Sequence, residues 1–281
     1  MSTNPSCAPD DNPLGEFIER HARLFVLTGA GCSTASGIPD YRDANGDWKR
    51  TRPVMFQAFM GDLHTRRRYW ARSLIGWRRF GHAHPNDAHR ALARLERLGR
   101  VEVLVTQNVD GLHQAAGSSA VIDLHGRLDQ VRCMECQRRT LRAQMQQRLL
   151  HLNPAWEQLE GPAAPDGDAD LEALDFAGFE VPACEHCGGV LKPDVVFFGE
   201  SVPQERVAAA LQAVQRADAM LVIGSSLMVY SGYRFAQAAA NAAKPIAAVN
   251  LGRTRADALL SLKVNQPCVP ALAFLLDDAA R

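Results

Sequence analysis

No apolar run in the 281-residue sequence approaches the roughly 18–20 residues needed to cross a bilayer. Residues 1–12 carry neither a basic start nor a hydrophobic stretch. A membrane-spanning helix and a secretory leader are therefore not expected, and the chain reads as cytoplasmic. Net charge is missing as well. The 31 basic residues balance 31 acidic ones, so there is no global pull toward nucleic acid or an anionic membrane, and either partner would need a local patch. Two nucleotide fingerprints are also lacking. Without a Gly-x-x-x-x-Gly-Lys stretch the chain does not read as a P-loop hydrolase. Thr34 stands where the strict dinucleotide motif after Gly29-Ala30-Gly31 would place its third glycine, which argues against a hydride-transfer dehydrogenase.

What is present suits a folded domain, with 47% hydrophobic and 22% charged residues. Short apolar runs at Leu24–Thr28, Val101–Thr106, 121–124, Ala219–Ile223 and Ile246–Val249 each end in glycine or polar residues, as buried parallel strands do. Helical patterns lie between them. At 86–98, Asn86 can cap and Ala88, Ala91, Leu92, Leu95 and Leu98 share a face; 203–216 repeats the pattern with Val207, Leu211 and Val214. The alternation predicts a Rossmann-like parallel sheet with helices on both faces, its ligands beyond the carboxyl ends of the strands. Two stretches interrupt it: arginine- and aromatic-rich helices over about 45–80, and a cysteine-bearing segment with a Pro-, Ala- and Asp-rich loop at 161–170. The expected division is a nucleotide-binding domain from 1–126 and 193–281, carrying the helical insertion, and a small module at 127–192.

Seven cysteines are an odd set for a secreted disulfide framework. Cys133, Cys136, Cys184 and Cys187 form two Cys-x-x-Cys pairs, whose spacing lets two knuckles complete a tetrahedral zinc site, with Gly188-Gly189 easing the second turn. Four thiolates leave no open coordination position, so one structural zinc ion is expected. Two disulfides, unrelated buried thiols, or His186 as a ligand are the alternatives. The 47 residues between Cys136 and Cys184 exceed a compact zinc ribbon. Cys7, Cys32 and Cys268 stand apart.

Gly29-Ala30-Gly31 alone fits a tight turn as well as a pyrophosphate contact. The longer stretch Gly29-Ala-Gly-Cys-Ser-Thr-Ala-Ser-Gly-Ile-Pro-Asp-Tyr-Arg-Asp43 adds Gln107-Asn-Val-Asp110, Leu124-His-Gly126, Gly224-Ser-Ser226 and the cysteine pairs in the same order. This set resembles the sirtuins, the NAD-dependent protein deacylases, from about Leu24 to Cys268. The long cysteine interval, Tyr69-Trp-Ala-Arg72 and Pro193-Asp-Val-Val-Phe-Phe-Gly-Glu200 are most similar to the class II branch.

The resemblance implies that an acyl-lysine oxygen attacks the ribose carbon of NAD, nicotinamide leaves, and the acyl group passes to ADP-ribose. NAD is thus a consumed co-substrate, and acylated-lysine proteins or peptides are the substrates. His125 is implied as the general base for a ribose hydroxyl, and its ordinary pKa of about 6.5 suits that task. Asn108 and Asp110 are placed at the nicotinamide carboxamide and Gln107 near the ribose; read without the family, Asn-x-Asp-Gly is equally a turn. Gly29, Ala30, Gly31 and Ser33 face the pyrophosphate, and Pro39, Asp40, Tyr41 and Arg42 belong to the cofactor loop. On the adenosine side stand Gly224, Ser225, Ser226, Asn250, Leu251, Gly252 and Cys268, and Cys268 need not be a reactive thiol. Val195, Val196 and Phe197 border a cleft where a peptide can add as a strand. In sirtuins that remove acidic acyl groups a tyrosine and an arginine at the spacing of Tyr69 and Arg72 fill the acyl pocket; an arginine on a solvated helix is the alternative here. His84, His89 and His113 read as packing or hydrogen-bonding residues, with His89 on the polar side of its helix.

Mono-ADP-ribosyl transfer would use the same residues, and a non-catalytic NAD or ADP-ribose sensor would not need His125. A zinc-ribbon nucleic-acid binder using Arg127, Arg132, Arg138, Arg139 and Arg142 fits poorly with a neutral chain lacking interleaved aromatics. Nucleic acid and membrane are not expected as partners.

Overall fold

The computed structural model describes residues 12–49, 53–161, 167–169, 171 and 174–277. Cys7, residues 1–11 and most of the loop at 161–170 lie outside the described residues. The helices are α1 (Pro13–Arg20), α2 (Phe56–Gly61), α3 (Leu63–Phe80), α4 (Asp87–Arg97), α5 (Leu112–Ala115), α6 (Arg142–Leu152), α7 (Gln204–Arg216), α8 (Tyr230–Asn241) and α9 (Cys268–Leu272). The strands are β1 (Leu24–Thr28), β2 (Val101–Thr106), β3 (Val121–Asp123), β4 (Gly126–Cys133), β5 (Arg139–Leu141), β6 (Leu191–Val195), β7 (Ala219–Ile223), β8 (Ile246–Val249) and β9 (Leu262–Val264).

Six strands pair in parallel in the order β3-β2-β1-β7-β8-β9. Alternate side chains leave on opposite faces of a strand, and both faces here are covered. Leu24, Val26, Leu104, Leu221 and Ile223 pack against α1, α4 and α9. Phe25, Leu27, Val103, Val105, Met220 and Val222 pack against α7 and α8. Double coverage is why these strands read as continuous apolar runs. The chain crosses from β1 to β2 on one side and to β7 on the other, so the strand order reverses at β1 and a crevice opens beyond its carboxyl end.

A second, antiparallel sheet runs β5-β4-β6. Its core joins Val131 and Leu191 to Met145 and Leu149 of α6, and also to Phe59 of α2 and Trp70 and Leu74 of α3. The helical insertion therefore packs on the cysteine-bearing segment. Among the described residues of the 45–80 stretch helix begins at Phe56, and its start folds back through a bridge between Arg42 and Trp48. His89 is a correction: it is fully buried, because α4 turns that side toward the loops after β1 and β2 rather than to water.

Candidate active site

A cavity of about 680 Å³ opens beyond the carboxyl ends of β1, β2, β7 and β8 and reaches the β6 side of the smaller sheet, within the range of about 300–1,000 Å³ usual for small-molecule sites. The turn after β1 forms one wall with Gly29, Ala30, Gly31 and Ser33, and the segment after β7 supplies Gly224, Ser225 and Ser226. These two backbones touch: Gly31 N–H donates to the Gly224 carbonyl at 2.9 Å. Gly224 has φ +62°, and a Cβ there would lie 2.3 Å from the Cys32 nitrogen. Only glycine fits that approach.

Polar side chains from the segment after β2 bond directly to these turns. Asn108 Nδ2 donates to the Gly29 carbonyl and to Ser33 Oγ, both at 3.0 Å. Ser33 Oγ donates onward to Asp110 Oδ2 at 2.7 Å, and Asp110 Oδ1 accepts from Leu112 N–H at 2.9 Å. Gln107 accepts from Ser225 Oγ through Oε1 at 2.6 Å. The network holds both amides and the carboxylate at the cavity surface, able to read a primary carboxamide and a sugar hydroxyl.

His125 follows β3 and lines the same cavity. Its Nδ1 lies 3.0 Å from the Gln107 carbonyl oxygen. That oxygen can only accept, so Nδ1 carries the proton and Nε2 keeps its lone pair, which accepts from Ser231 Oγ at 2.8 Å. Burial pushes the His125 pKa down to about 4; the bond to Gln107 pulls it up, and the Arg206 and Arg234 cations push it further down. The ordinary value of about 6.5 assumed from the sequence is thus corrected: the ring is a neutral base throughout the physiological range.

The four paired cysteines converge at the edge of the smaller sheet, Cys133 at the end of β4 and the others in the adjoining turns. Cys133 and Cys187 sulfurs lie 3.5 Å apart, Cys136 and Cys184 sulfurs 3.8 Å, and all four within 4.8 Å of one another. Four Zn–S bonds of about 2.3 Å at tetrahedral angles require sulfurs about 3.8 Å apart, so the donor set fits zinc. A Cβ at Gly189 would lie 3.0 Å from the Cys133 sulfur and 2.0 Å from Glu135 Oε2, so glycine keeps the second knuckle clear of the sulfur cluster. His186 is not part of the cluster.

The Sir2 family model matches residues 29–231. The chain belongs to the Sir2 family. It is 68% identical over 94% of its length to NAD-dependent protein deacetylase 2 of Bradyrhizobium diazoefficiens, covering 96% of that protein. To the NAD-dependent protein deacetylase of Xanthomonas campestris it is 69% identical, over 93% of this chain and 89% of the other. Among solved structures, a Sir2 with a p53 peptide and NAD+ superposes with a TM-score of 0.73 at 29% identity, covering 94% of this chain and 95% of that one. A Sir2 bound to a propionylated peptide gives 0.73 at 31%, covering 94% and 97%.

In this Sir2 chain the cavity is also lined by Asp40, Tyr41, Arg42, Tyr69, Val195, Val196, Phe197, Asn250 and Leu251. Arg42 is turned into its own loop, donating to the Gly46 carbonyl at 2.6 Å with its guanidinium 4.1 Å over the Trp48 ring. Val196 N–H donates to the His125 carbonyl at 2.7 Å, which ties the segment after β6 to the residue that follows β3. Buried Lys192 stiffens that segment through the Val195 carbonyl and Glu200 Oε2, the latter at 3.1 Å.

Pro39, Gly252, Cys268 and Arg72 do not line the cavity. Gly252 abuts Ala44, and the Cys268 thiol lies behind the turn after β1, donating to the Gly31 carbonyl at 3.5 Å. Its pKa is pushed up to about 12 by burial, which makes it an unreactive packing group. Arg72 donates from Nε to the Ala169 carbonyl at 2.9 Å and lies 3.9 Å from the buried Asp168 carboxylate. The N-terminal part of α8 contributes Ser231 and Arg234, neither foreseen from the sequence. Their spacing of three places them on one helical face, the signal that was available.

Proposed function

We propose that this chain is an NAD-dependent protein lysine deacylase, a deacetylase in its simplest reaction, transferring the acyl group to ADP-ribose with release of nicotinamide. The observation that carries the reading is the meeting of His125, Asn108 and Asp110 in one cavity with the glycine turns after β1 and β7. Relatives at 68% and 69% identity bear the name of that activity. NAD supplies the ribose carbon and a cationic leaving group. Asp110 and Asn108 hold the carboxamide, the backbone of Gly29, Ala30, Gly31 and Gly224 admits the pyrophosphate, and Ser225, Ser226, Asn250 and Leu251 flank the adenosine end. Fixing the reactants and excluding water accounts for most of the acceleration. His125 takes a ribose hydroxyl proton on Nε2.

An acylated-lysine peptide lies along Val195, Val196 and Phe197 as an added strand, with Tyr69 at the cavity beside it. Arg72, tied to Ala169 and Asp168, serves the fold rather than an acyl carboxylate. Zinc on Cys133, Cys136, Cys184 and Cys187 braces the small module, taken as 127–192, against the NAD-binding domain of 1–126 and 193–281. Within the family we read the chain as nearest the class II branch, on the long cysteine interval and the 69–72 and 193–200 stretches. Cysteine pairs of metal-binding type support a cytoplasmic setting, and among the described residues no helix is long and apolar enough to cross a membrane. Four of the five arginines near the zinc cluster are paired or buried. Arg127 pairs with Asp129, Arg132 and Arg139 share Asp194, and Arg142 is buried.

Mono-ADP-ribosyl transfer and NAD sensing share this pocket. His125→Ala separates the sensor: deacylation is lost while NAD binding by calorimetry persists. Unchanged deacylation would remove His125 from the chemistry.

A further inference from the structure

His125 is gripped at both nitrogens, and one grip comes from Ser231, which none of the motifs quoted above contains. We infer that Ser231 is a positioning residue for His125, its hydroxyl holding Nε2 toward the cavity as the atom that receives the substrate proton. The inference rests on the deacylase reading above.

Three observations place the hydroxyl. Ser231 Oγ is 2.8 Å from His125 Nε2 and lines the cavity. The Gln107 carbonyl, 3.0 Å from Nδ1, fixes the tautomer, so the serine must be donor in the resting site. The helix that carries Ser231 is itself held: Phe235, Ala236 and Ala239 of α8 are buried against the sheet. Its first turn also presses on Gln107, for a Cβ at Gly232 would lie 2.6 Å from Gln107 Nε2. Gln107 thus sets the ring through its carbonyl, accepts from Ser225 through its side chain, and seats the helix turn that brings Ser231.

A hydroxyl suits this place because it donates and accepts. In the resting site Ser231 O–H donates to the Nε2 lone pair. When a ribose hydroxyl delivers its proton to Nε2, the serine rotates and its oxygen accepts from the new Nε2–H, while Nδ1–H stays on the Gln107 carbonyl. Both N–H groups of the imidazolium are then paired, which offsets the nearby Arg206 and Arg234 cations. An apolar side chain of the same shape would leave the Nε2–H without that acceptor.

The test uses the isosteric pair Ser231→Thr and Ser231→Val in the zinc-loaded full chain, with an acetyl-lysine peptide and NAD. Exchange of labelled nicotinamide into NAD reports the step before the base acts; formation of O-acetyl-ADP-ribose reports the whole reaction. Ser231→Val is expected to lower kcat for O-acetyl-ADP-ribose formation by about 10- to 100-fold, with KM for NAD and nicotinamide exchange within about 3-fold of wild type. Ser231→Thr is expected to keep product formation within about 5-fold, because it retains the hydroxyl. Equal rates of product formation in the two variants, at whatever level, would overturn the role of the hydroxyl. A wild-type chain that forms no O-acetyl-ADP-ribose would contradict the deacylase reading instead.

Discussion

The Ser33 hydroxyl donates to the Asp110 carboxylate at 2.7 Å and so ties the turn after β1 to the loop after β2. Asn108 braces the same serine from the other side at 3.0 Å. The turn after β1 and the polar residues after β2 are therefore one mechanical unit. Asp110→Asn replaces an ionised acceptor with a neutral amide, and hydrogen bonds to charged groups contribute about 1.5–3 kcal/mol. Steady-state kinetics should show kcat/KM for NAD falling by at least about 10-fold; an unchanged value would take Asp110 out of cofactor recognition.

The pH profile follows from His125. The neutral ring is the competent form and its pKa is lowered to about 4, so competence is complete near neutrality and is lost as pH falls through about 4. Because the unfolded ring protonates near 6.5, the same depression makes folded stability decline from about pH 6.5 down to about 4. The acid limb of kcat/KM should thus lie well below 6.5 wherever the chain stays folded. Arg234→Gln removes a cation that disfavours imidazolium and should move the limb upward. A wild-type limb at 6.5, or no movement in the variant, would contradict the electrostatic account.

Zinc should matter to the fold more than to the chemistry. Chelation, or Cys184→Ser, is expected to remove one zinc ion per chain and to lower Tm, with β4, β6 and α6 losing hydrogen-exchange protection first. Cobalt in place of zinc should leave turnover near wild type, since four thiolates leave no position for substrate. Metal-dependent turnover at unchanged Tm would show a catalytic ion.

Arg72→Gln should leave the ranking of acetyl, succinyl, glutaryl and lipoyl peptides unchanged while lowering stability by about 1–3 kcal/mol, because it weakens the support of buried Asp168 and of the Ala169 carbonyl. Loss of activity confined to acidic acyl groups would restore Arg72 to the acyl pocket.

The central strands were legible because each apolar run is buried on both faces and stops at a glycine or polar turn, as Leu24–Thr28 stops at Gly29. The cysteine cluster was legible from its two Cys-x-x-Cys pairs, although the 47 residues between them exceed a compact zinc ribbon. β4 and β6 carry arginine, aspartate and lysine whose partners lie far along the chain, as Arg132 and Asp194 do, so no local pattern announces them. His89 misled because a polar residue on an amphipathic helix normally faces water, whereas here a second layer of loops covers it. Ser231 and Arg234 escaped notice because their meaning depends on the position of α8 over His125, a tertiary relationship. The His125 pKa depends likewise on burial and on Arg206 and Arg234, which the sequence does not bring together.

The most direct test is mass spectrometry of the products formed from NAD and an acetyl-lysine peptide. The account predicts nicotinamide, deacetylated peptide and O-acetyl-ADP-ribose in equal amounts, with deacetylated peptide and O-acetyl-ADP-ribose lost in His125→Ala. ADP-ribosylated protein in place of O-acetyl-ADP-ribose, or no consumption of NAD, would contradict it.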